Sequence, residues 1–462
     1  MSIKVYNTLS RKKETFKTLQ PEKVSMYVCG PTVYDKAHVG HAMSALVFDI
    51  VRRYLEFRGY EVRHVTNYTD VDDKIIQRAA VEGVDPLEIA QRYIDEFDQH
   101  LKDLNILPAS QYPRATEEIN RIIESVADLI DKGYAYPKDG DVYYRVEKFA
   151  DYGKLSGRKI EDMEAGFRID IDNRKEHPMD FALWKSAKPG EPSWPSPWGD
   201  GRPGWHIECS VMSHACLGEQ IDIHGGGNDL VFPHHENEIA QTEAMTGKQF
   251  ATYWMHNGMM QLSGAKMSKS VGNLVTVDSF LEKYEAGVLR MMILNSSYRS
   301  PLTFNEETIE HAQKALKRLR SALRPAMPKE GWVGDQLSDQ SGRANEFFLA
   351  AMDDDFNTAG ALGHFFDFVK AINHARDEGA DQDSLETAQA VLTKLTSILG
   401  LDLALPETQA GDAGEFIDLL INIRMKLRQE KLWELSDLIR DQLIELDVIL
   451  EDTSQGTTWH WK

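Results

Sequence analysis

The chain has 462 residues, of which 42% are hydrophobic and 27% charged, and its formal net charge is −21 at pH 7. This length predicts about three domains, and the acidic balance argues against a surface that binds polyanions in general, so nucleic acid must meet local basic patches. No apolar run reaches the roughly 20 residues of a membrane helix, and the N-terminal residues lack a signal peptide's apolar centre. The three widely spaced cysteines make disulfides unexpected. We therefore expect a cytoplasmic protein without membrane contact.

The first predicted elements form a βαβ unit. The letters "MYVC", residues 26–29, predict a strand that leads into a Gly-Pro turn. Helical spacing of apolar residues then predicts a helix from about His41 to Phe57, with Gly59 where a C-terminal cap belongs. The letters "YEVRHVTN" predict a second strand. Residues 1–112 are therefore expected to form the first half of an open α/β sheet domain.

A mixed segment separates this half from a second one. Residues 113–203 contain a helix, the hairpin-like "YAYPKDGDVYYRV" and a stretch rich in Pro, Gly and Trp, as a connective insertion would. Residues 204–262 resume the α/β pattern. We predict a helix closed by Gly218, a strand "QIDIH", a loop "GGGND", a helix with Pro233 at its first position and a strand "YWMHNGMMQL".

The last third of the chain is predicted to be mostly helical. Residues 263–305 hold the polar, glycine-bounded "SGAKMSKSVGN", residues 306–400 show helical patterns, and residues 401–462 end in an extended or hairpin tail, "DTSQGTTWHWK". Two basic stretches, "HAQKALKRLRSALR" and "NIRMKLRQEK", lie in this part. Each alone is more typical of a solvated helix face than of a nucleic-acid contact.

Two short motifs carry the chemistry. His38 and His41 stand where a strand turns into a helix, and the free N–H groups and dipole of a helix start attract phosphate. Gly40 would leave room for a nucleotide ring, although histidines that only satisfy the turn backbone are the commoner case. The "KMSKS" stretch supplies Lys266 and Lys269, which suit a departing pyrophosphate, whereas a basic surface loop is the alternative. Together the two motifs indicate an adenylating enzyme.

These motifs carry a resemblance to a known family. His38-Val39-Gly40-His41 resembles the HIGH signature of class I aminoacyl-tRNA synthetases, with valine for isoleucine, and the other signature matches at Lys266, Met267, Ser268, Lys269 and Ser270. Within that class the chain is similar to the cysteinyl-tRNA synthetases, through "YVCGPTVYDKAHVGH", "TDVDDKI", "WPSPWGDGRPGWHIECS", "DIHGGGNDLVFPHHENEIAQ", "YWMHNGM", "MDDDFNT" and "QGTTW".

The resemblance implies a fold and an activity. The fold is α/β, a Rossmann-type parallel-sheet catalytic domain with the inserted connective segment, followed by the KMSKS and stem-contact region at 263–305. An all-α bundle at 306–400 would contact tRNA, and a small C-terminal domain at 401–462 would bind the anticodon. The implied monomer activates L-cysteine with MgATP and transfers it to tRNA(Cys). A cysteine ligase of mycothiol biosynthesis and a non-catalytic tRNA-binding paralogue are the alternatives.

The resemblance also assigns one zinc ion per chain, to Cys29, Cys209, His234 and Glu238. Thiolate, imidazole and carboxylate are ligands that Zn²⁺ takes, but without the resemblance buried inert cysteines and a helix-face His/Glu pair would be the better interpretation. Zinc would select cysteine over serine, because a pocket that reads shape separates such near-isosteres by only about 1–3 kcal/mol. Cys216 is left without an assigned role.

The resemblance also implies the substrate pocket. Each assignment has an alternative: Thr69 could cap a helix, Trp205 could belong to the core, and "GGGND" could be a plain turn. The implied assignments are cysteine binding by Gly30, Thr69 and Trp205, and ATP binding by Lys269, His224, Gly226, Asp229 and His256. For tRNA binding, Arg424 and Arg428 could hold phosphate and Trp459 or Trp461 could stack on an unpaired base, although a tryptophan is more often buried.

Overall fold

The structure is a computed structural model. It describes residues 2–160, 173–262, 265–266, 275–326, 328–329, 332, 335–404, 413–453 and 456–462. The chain divides into two compact units, Met1–Leu403 and Ala404–Lys462. In the part of the chain that is described, no helix has the length and apolar character needed to cross a membrane.

Strands and helices alternate through most of the first unit. The strands are β1 (Lys4–Asn7), β2 (Lys12–Thr15), β3 (Lys23–Val28), β4 (Glu61–Thr66), β5 (Ala135–Lys138), β6 (Asp141–Tyr144), β7 (Phe181–Ser186), β8 (Gly201–Pro203), β9 (Ile221–Gly227), β10 (Ala251–Asn257), β11 (Met260–Leu262), β12 (Ala265–Lys266), β13 (Leu302–Phe304), β14 (Val448–Thr453) and β15 (Gly456–Trp461). The α-helices of the described residues are α1 (Val39–Phe57), α2 (Asp73–Glu82), α3 (Pro86–Asp103), α4 (Ile119–Asp131), α5 (Trp205–Leu217), α6 (Glu236–Thr246), α7 (Val277–Leu281), α8 (Ala286–Leu294), α9 (Glu306–Ser321), α10 (Asp335–Asp353), α11 (Thr358–Glu378), α12 (Gln382–Ile398), α13 (Ala413–Gln429) and α14 (Trp433–Glu445).

A four-stranded parallel sheet forms the centre of the first unit. Its order is β10-β9-β3-β4, and all three pairings are parallel. Helix α1 connects β3 to β4, and helix α6 connects β9 to β10, so each half of the sheet is a βαβ unit. The two halves extend in opposite directions from the β3–β9 pair. This arrangement confirms the predicted α/β sheet built from two halves.

Helix α1 is held by an apolar stripe that packs against the sheet. Leu46, Val47 and Ile50 are buried at helical spacing, and the helix begins at Val39, two residues before the predicted start. Because burial of each such side chain contributes about 1.5–3 kcal/mol, the stripe fixes the helix on the sheet. Leu46→Ala alone would cost about 2–5 kcal/mol.

The described residues of the predicted insertion include a small antiparallel sheet and helix α4. Its strands pair in the order β5-β6-β7-β8, and β5 and β6 form the predicted hairpin. Its core, around Leu129 of α4 and Trp184 of β7, also contains Ile207 and Val211 of α5. The insertion therefore packs against the helix that begins the second half of the sheet domain.

Three predictions for that second half are corrected. The glycines of "GGGND" end strand β9 instead of forming a loop, because Gly225 pairs with Val28 of β3 and with Met255 of β10. A Cβ on Gly225 would lie 2.3 Å from the ring of Phe48, so this position requires glycine. Helix α6 begins at Glu236 and not at Pro233, because Phe232 has extended backbone angles of −143° and 131°. The stretch "YWMHNGMMQL" forms two strands, β10 and β11. The predicted helix closed by Gly218 is confirmed as α5.

Helices dominate the remainder. Helices α9 to α12 form the predicted helical bundle in the first unit. The second unit contains α13, α14 and an antiparallel hairpin of β14 and β15, as the tail pattern indicated. Its small core joins Ile417 and Ile421 of α13 to Leu443, Val448 and Leu450.

Candidate active site

The candidate site lies where the two halves of the sheet meet. Cys29 directly follows β3, and its backbone N–H donates to the carbonyl of Gly225 in β9 at 3.0 Å. In open parallel sheets, ligands bind beyond the carboxyl ends of the strands where the strand order reverses. A cavity of about 310 Å³ opens there and is lined by residues from both halves.

Four metal-ligating side chains converge beside this cavity. The ligand atoms of Cys29, Cys209, His234 and Glu238 all lie within 4.8 Å of one another. The Sγ of Cys29 is 3.6 Å from His234 Nε2 and 3.4 Å from Glu238 Oε1, and those two atoms are 3.0 Å apart. Two sulfurs, an imidazole nitrogen and a carboxylate oxygen form a donor set that suits Zn²⁺. The cluster can hold a metal ion.

The charges within the cluster depend on one another. Burial and the neighbouring Cys209 raise the pKa of Cys29, whereas the hydrogen bond from Cys29 lowers the pKa of Cys209 to about 6. Burial alone would lower the pKa of His234, but Glu238 and Cys209 together outweigh it and raise this pKa to about 10. The cluster therefore holds protons that a bound metal ion would displace.

A second layer of histidines surrounds these donors. Glu238 accepts through Oε2 from Nε2 of the fully buried His224 at 2.9 Å, so each of its oxygens faces a different imidazole. The Nδ1 atoms of His206 and His234 are 2.9 Å apart. Such outer contacts orient metal ligands and tune their affinity.

The layer continues away from the cavity. His235 Nδ1 is 2.8 Å from His256 Nε2, and His256 Nδ1 is 2.8 Å from the hydroxyl of Thr8. The ring of His224 stacks on Trp254 with centroids 4.3 Å apart. His206 and His235 were not among the predicted site residues, although each stands next to or near a predicted ligand in "WHIEC" and "PHHEN". Their position beside predicted ligands in the sequence was the feature that could have indicated a role at the site.

The first signature motif forms one wall of the cavity. His38 and His41 stack with ring centroids 3.7 Å apart, and His38 Nδ1 accepts the N–H of Gly40 at 3.1 Å. A Cβ on Gly40 would lie 2.9 Å from the His38 ring, which is why glycine is needed here. Val39 is buried in the core. Burial lowers the pKa of both histidines, that of His41 to about 3, so both rings are neutral near pH 7.

Two of the three residues predicted to bind cysteine, Gly30 and Trp205, line the cavity beside the metal cluster, whereas Thr69 does not. Gly30 lines the cavity and donates its N–H to Asn67 Oδ1 at 3.0 Å, and a Cβ there would lie 1.7 Å from the Asn67 carbonyl oxygen. Trp205 also lines the cavity, is 37% exposed, and lies 4.2 Å from the His234 ring, so it is not a core residue. Thr69 is buried and does not cap a helix, because Asp72 caps α2.

The predicted ATP-binding residues are divided between two environments. Asp229 lines the cavity together with its neighbour Leu230. Among the residues that the structure describes, His224, Gly226 and His256 do not line it, and their ATP role stays a prediction. Lys74 was not predicted, but it lines the cavity near Tyr34, with its ammonium 5.2 Å from the ring centroid.

The second signature motif is described only in part. Lys266 belongs to β12, where it pairs with Gln261 of β11. The predicted residues Met267, Ser268, Lys269 and Ser270 lie outside the described residues.

The predicted tRNA contacts of the C-terminal unit need one correction. Arg424 is only 2% exposed and binds both carboxylate oxygens of Asp452, at 2.8 and 2.9 Å, so it is part of the unit's interior. Arg428 reaches the same carboxylate at 2.8 Å but remains 43% exposed. Trp459 donates to Asp418 at 2.8 Å and packs on the small core, whereas Trp461 is 40% exposed.

Two family models match the chain. The class I (C) tRNA synthetase catalytic domain matches residues 15–314, which include the metal cluster and both signature motifs. The DALR domain matches residues 347–404, which lie within the helical bundle.

Full-length relatives agree with these models. The cysteine–tRNA ligase of Dehalococcoides mccartyi strain BAV1 is 52% identical over 462 residues, with 100% of each chain covered. The cysteine–tRNA ligase of Thermococcus onnurineus is 50% identical, with 99% of each covered. Among solved structures, the Mycobacterium tuberculosis methionyl-tRNA synthetase in complex with methionyl-adenylate has a TM-score of 0.60 at 17% identity, covering 86% of this chain and 94% of that one, which shows a shared fold.

Proposed function

The chain belongs to the cysteine–tRNA ligases of the class I aminoacyl-tRNA synthetases, and from this premise we propose how its residues perform the reaction. The enzyme ligates L-cysteine to tRNA(Cys) at the expense of ATP. We assign the four clustered donors, Cys29, Cys209, His234 and Glu238, to one Zn²⁺ per chain. The observation that carries this assignment is their convergence within 4.8 Å beside the cavity.

The first step is adenylation of cysteine. The carboxylate of cysteine attacks the α-phosphate of MgATP, pyrophosphate leaves, and cysteinyl-adenylate remains. No protein nucleophile is needed, so positioning and charge stabilisation supply most of the catalysis. His38 and His41 would donate hydrogen bonds to the phosphates from the cavity wall, and Lys266 and Lys269 would neutralise the leaving pyrophosphate. Asp229 would accept from ribose hydroxyls.

Selection of cysteine is the task of the metal cluster. A zinc ion bound there would supply a soft Lewis acid that takes the thiolate of cysteine as a ligand, which the hydroxyl of serine does not match. Gly30, Thr69 and Trp205 would enclose the amino acid so that its side chain points at the cluster. A pocket without metal would discriminate by only about 1–3 kcal/mol.

The second step transfers cysteine to tRNA. A hydroxyl of the terminal ribose of the tRNA attacks the adenylate carbonyl, an ester forms, the acyl–phosphate bond breaks and AMP leaves. We assign residues 306–400 to the inner face of the tRNA and residues 401–462 to its anticodon, where Arg428 would contact phosphate and Trp461 would stack on a base. We further propose a monomer that works in the cytoplasm. The alternatives, a mycothiol-pathway ligase and a non-catalytic paralogue, have no observation that favours them.

The test is cysteine-dependent exchange of labelled pyrophosphate into ATP, measured together with zinc content. Wild-type protein should hold about one zinc per chain and exchange with cysteine but not with serine. Cys209→Ala should lose the zinc and either lose exchange or accept serine as well. Cys216→Ala is the matched control, because Cys216 lies on the same helix, is buried and is absent from the described metal clusters. It should keep both properties.

Two results would contradict the proposal. If zinc-loaded wild-type protein gave no exchange, the assigned adenylation roles would be wrong. If Cys209→Ala protein still held one zinc and excluded serine, only the zinc assignment would be wrong.

A further inference from the structure

The segment that begins the first signature motif is joined through its backbone to residues 275–278. Residues 275–278, which follow the second motif, lie alongside residues 36–39, which contain the start of the first. The N–H of Val39 donates to the carbonyl of Val275 at 3.0 Å, and the N–H of Val277 donates to the carbonyl of Ala37 at 2.9 Å. His38 therefore sits between two backbone hydrogen bonds, opposite Thr276 in an antiparallel bridge.

A side-chain cluster closes one end of this pairing. Asp278 accepts from the ammonium of Lys36 at 2.8 Å through Oδ2. Its other oxygen, Oδ1, lies 2.6 Å from Nε2 of His100 on α3. His100 is only 3% exposed, so the carboxylate links a surface lysine to a buried imidazole. Asp278 thus connects three chain segments: the approach to His38, helix α3 and helix α7.

The cluster is not a second metal site. Glu96, His100 and Asp278 have ligand atoms within 4.8 Å of one another, a spacing that a cation could use. Lys36 already supplies the positive charge, since its hydrogen bond to Asp278 raises the pKa of Lys36 and lowers the pKa of Asp278. A metal ion would have to displace this ammonium and would be repelled by it.

We propose that Asp278 is a positioning residue for adenylation, because it fixes the segment that carries His38 against helix α3 and against the segment that follows the second motif. The inference rests on the adenylation role proposed above for His38 and His41. Asp278 does not line the cavity among the described residues, so it acts through Lys36 and the paired backbone.

The size of the effect follows from the geometry. An exposed ion pair by itself contributes little, so the contact with Lys36 is only part of the link. Loss of Asp278 would also leave both ring nitrogens of buried His100 without a described partner, because Nδ1 already has none. The paired segments would then relax, and a displacement of about 1 Å at a catalytic group can cost roughly a hundredfold in rate.

Pyrophosphate exchange with Asp278 variants tests the inference. Asp278→Ala and Asp278→Asn should lower kcat roughly tenfold or more, while the KM for cysteine stays within twofold because the cysteine pocket is built from other segments. Asp278→Glu should restore part of the rate, since it can still reach a neighbouring lysine. Lys36→Met should give a smaller loss of kcat than Asp278→Ala.

The matched control is Asp128→Asn. Asp128 also forms an ion pair with a lysine, Lys132, at 2.8 Å and with similar exposure, but on helix α4 of the insertion. This variant should leave kcat unchanged. Melting temperatures of all variants show whether each one is folded at the assay temperature.

The inference fails if folded Asp278→Asn and Lys36→Met both keep kcat within twofold of wild type. It also fails if kcat and the KM for cysteine change together in every Asp278 variant, because that would indicate a general structural defect. Absence of exchange in the wild-type protein would instead contradict the proposed function, so the two failures are distinguishable.

Discussion

His224 Nε2 lies 2.9 Å from Glu238 Oε2, while the other oxygen of the same carboxylate lies 3.0 Å from His234 Nε2. His224 therefore holds Glu238 in the orientation that directs Oε1 towards the metal cluster. Because His224 is fully buried, no water can easily replace it as the partner of Oε2. The affinity of the cluster for metal should depend on a histidine that is not among the four proposed zinc ligands.

Replacement of His224 should weaken zinc binding. We expect His224→Leu to lower the affinity roughly 10- to 100-fold, because the carboxylate loses the partner that orients it. Competition with a chromophoric chelator measures this directly. His214→Leu is the control, since His214 is on α5 but outside the cluster. Equal zinc affinity in His224→Leu and wild type would show that Glu238 is oriented by other contacts.

Lys74 should contribute to ATP turnover. It lines the cavity on the side of His41, and its positive charge lowers the pKa of that histidine after the larger effects of burial and of His38. A charge-assisted hydrogen bond contributes about 1.5–3 kcal/mol, so Lys74→Met should lower kcat/KM for ATP roughly 10- to 150-fold. Pyrophosphate exchange at varied ATP measures the loss.

Two comparisons make the Lys74 result specific. Lys74→Arg should retain most of the activity, because it keeps the charge. Lys132→Met, on the exposed face of the insertion, should change nothing. A loss of kcat/KM below twofold in Lys74→Met would exclude a direct contact between Lys74 and the nucleotide.

His64 should make the protein less stable in acid. Burial and the nearby Arg52 lower the pKa of His64 to about 3, compared with about 6.5 in the unfolded chain. Between these values the unfolded state binds one more proton than the folded state. The contribution of His64 to the free energy of unfolding is therefore fully present above pH 6.5 and is lost progressively as the pH drops towards 3. The slope contributed by His64 is about 1.4 kcal/mol per pH unit.

Urea unfolding at pH 5, 6 and 7 tests this sign and size. His64→Gln should flatten the dependence of the unfolding free energy on pH by about that slope near pH 5. His374→Gln, which removes an exposed histidine, should leave the dependence as it is in wild type. A steeper dependence in His64→Gln would show that the charged form of His64 is the one stabilised by folding.

Arg424 and Arg428 should differ in function although both bind Asp452. Arg424→Met should destabilise the C-terminal unit by about 2 kcal/mol, because it removes two charge-assisted hydrogen bonds from the interior. Arg428→Ala should weaken tRNA binding and reduce the slope of log K against log salt by about 0.7–0.9, the value for one lost phosphate contact. Filter binding at several salt concentrations, with melting of each variant, separates the two effects. If Arg424→Met had normal stability and a reduced salt dependence of tRNA binding, Arg424 would be the tRNA contact and the assignment would be wrong.

The central sheet could be predicted from periodicity because its strands and helices obey local rules. The apolar spacing of α1 and the glycine after α5 depend only on neighbours in sequence. Strand β9 was cut short because three glycines usually indicate a turn. What places Gly225 in the strand is its pairing with Val28 of β3 and with Met255 of β10, tertiary contacts that no local pattern contains.

The sequence allowed the residue types of the site to be predicted, but not their arrangement in space. Cys29 and Cys209 came from a resemblance, since nothing in their spacing joins them. His235 was missed because its partner, His256, is contributed by another strand. Arg424 was misjudged for a related reason: a basic stretch on a helix does not reveal which of its members faces a carboxylate such as Asp452.

The separation of the cluster along the chain has a consequence during translation. Cys29 and Glu238 are 209 positions apart, and β9 must be synthesised before it can pair with β3. At about 5–20 residues per second, a ribosome takes roughly 10–40 s to cover that distance. Throughout this interval the nascent polypeptide carries the Cys29 thiol without its complete set of partners. The proposed metal site therefore cannot form until more than half of the chain has been made.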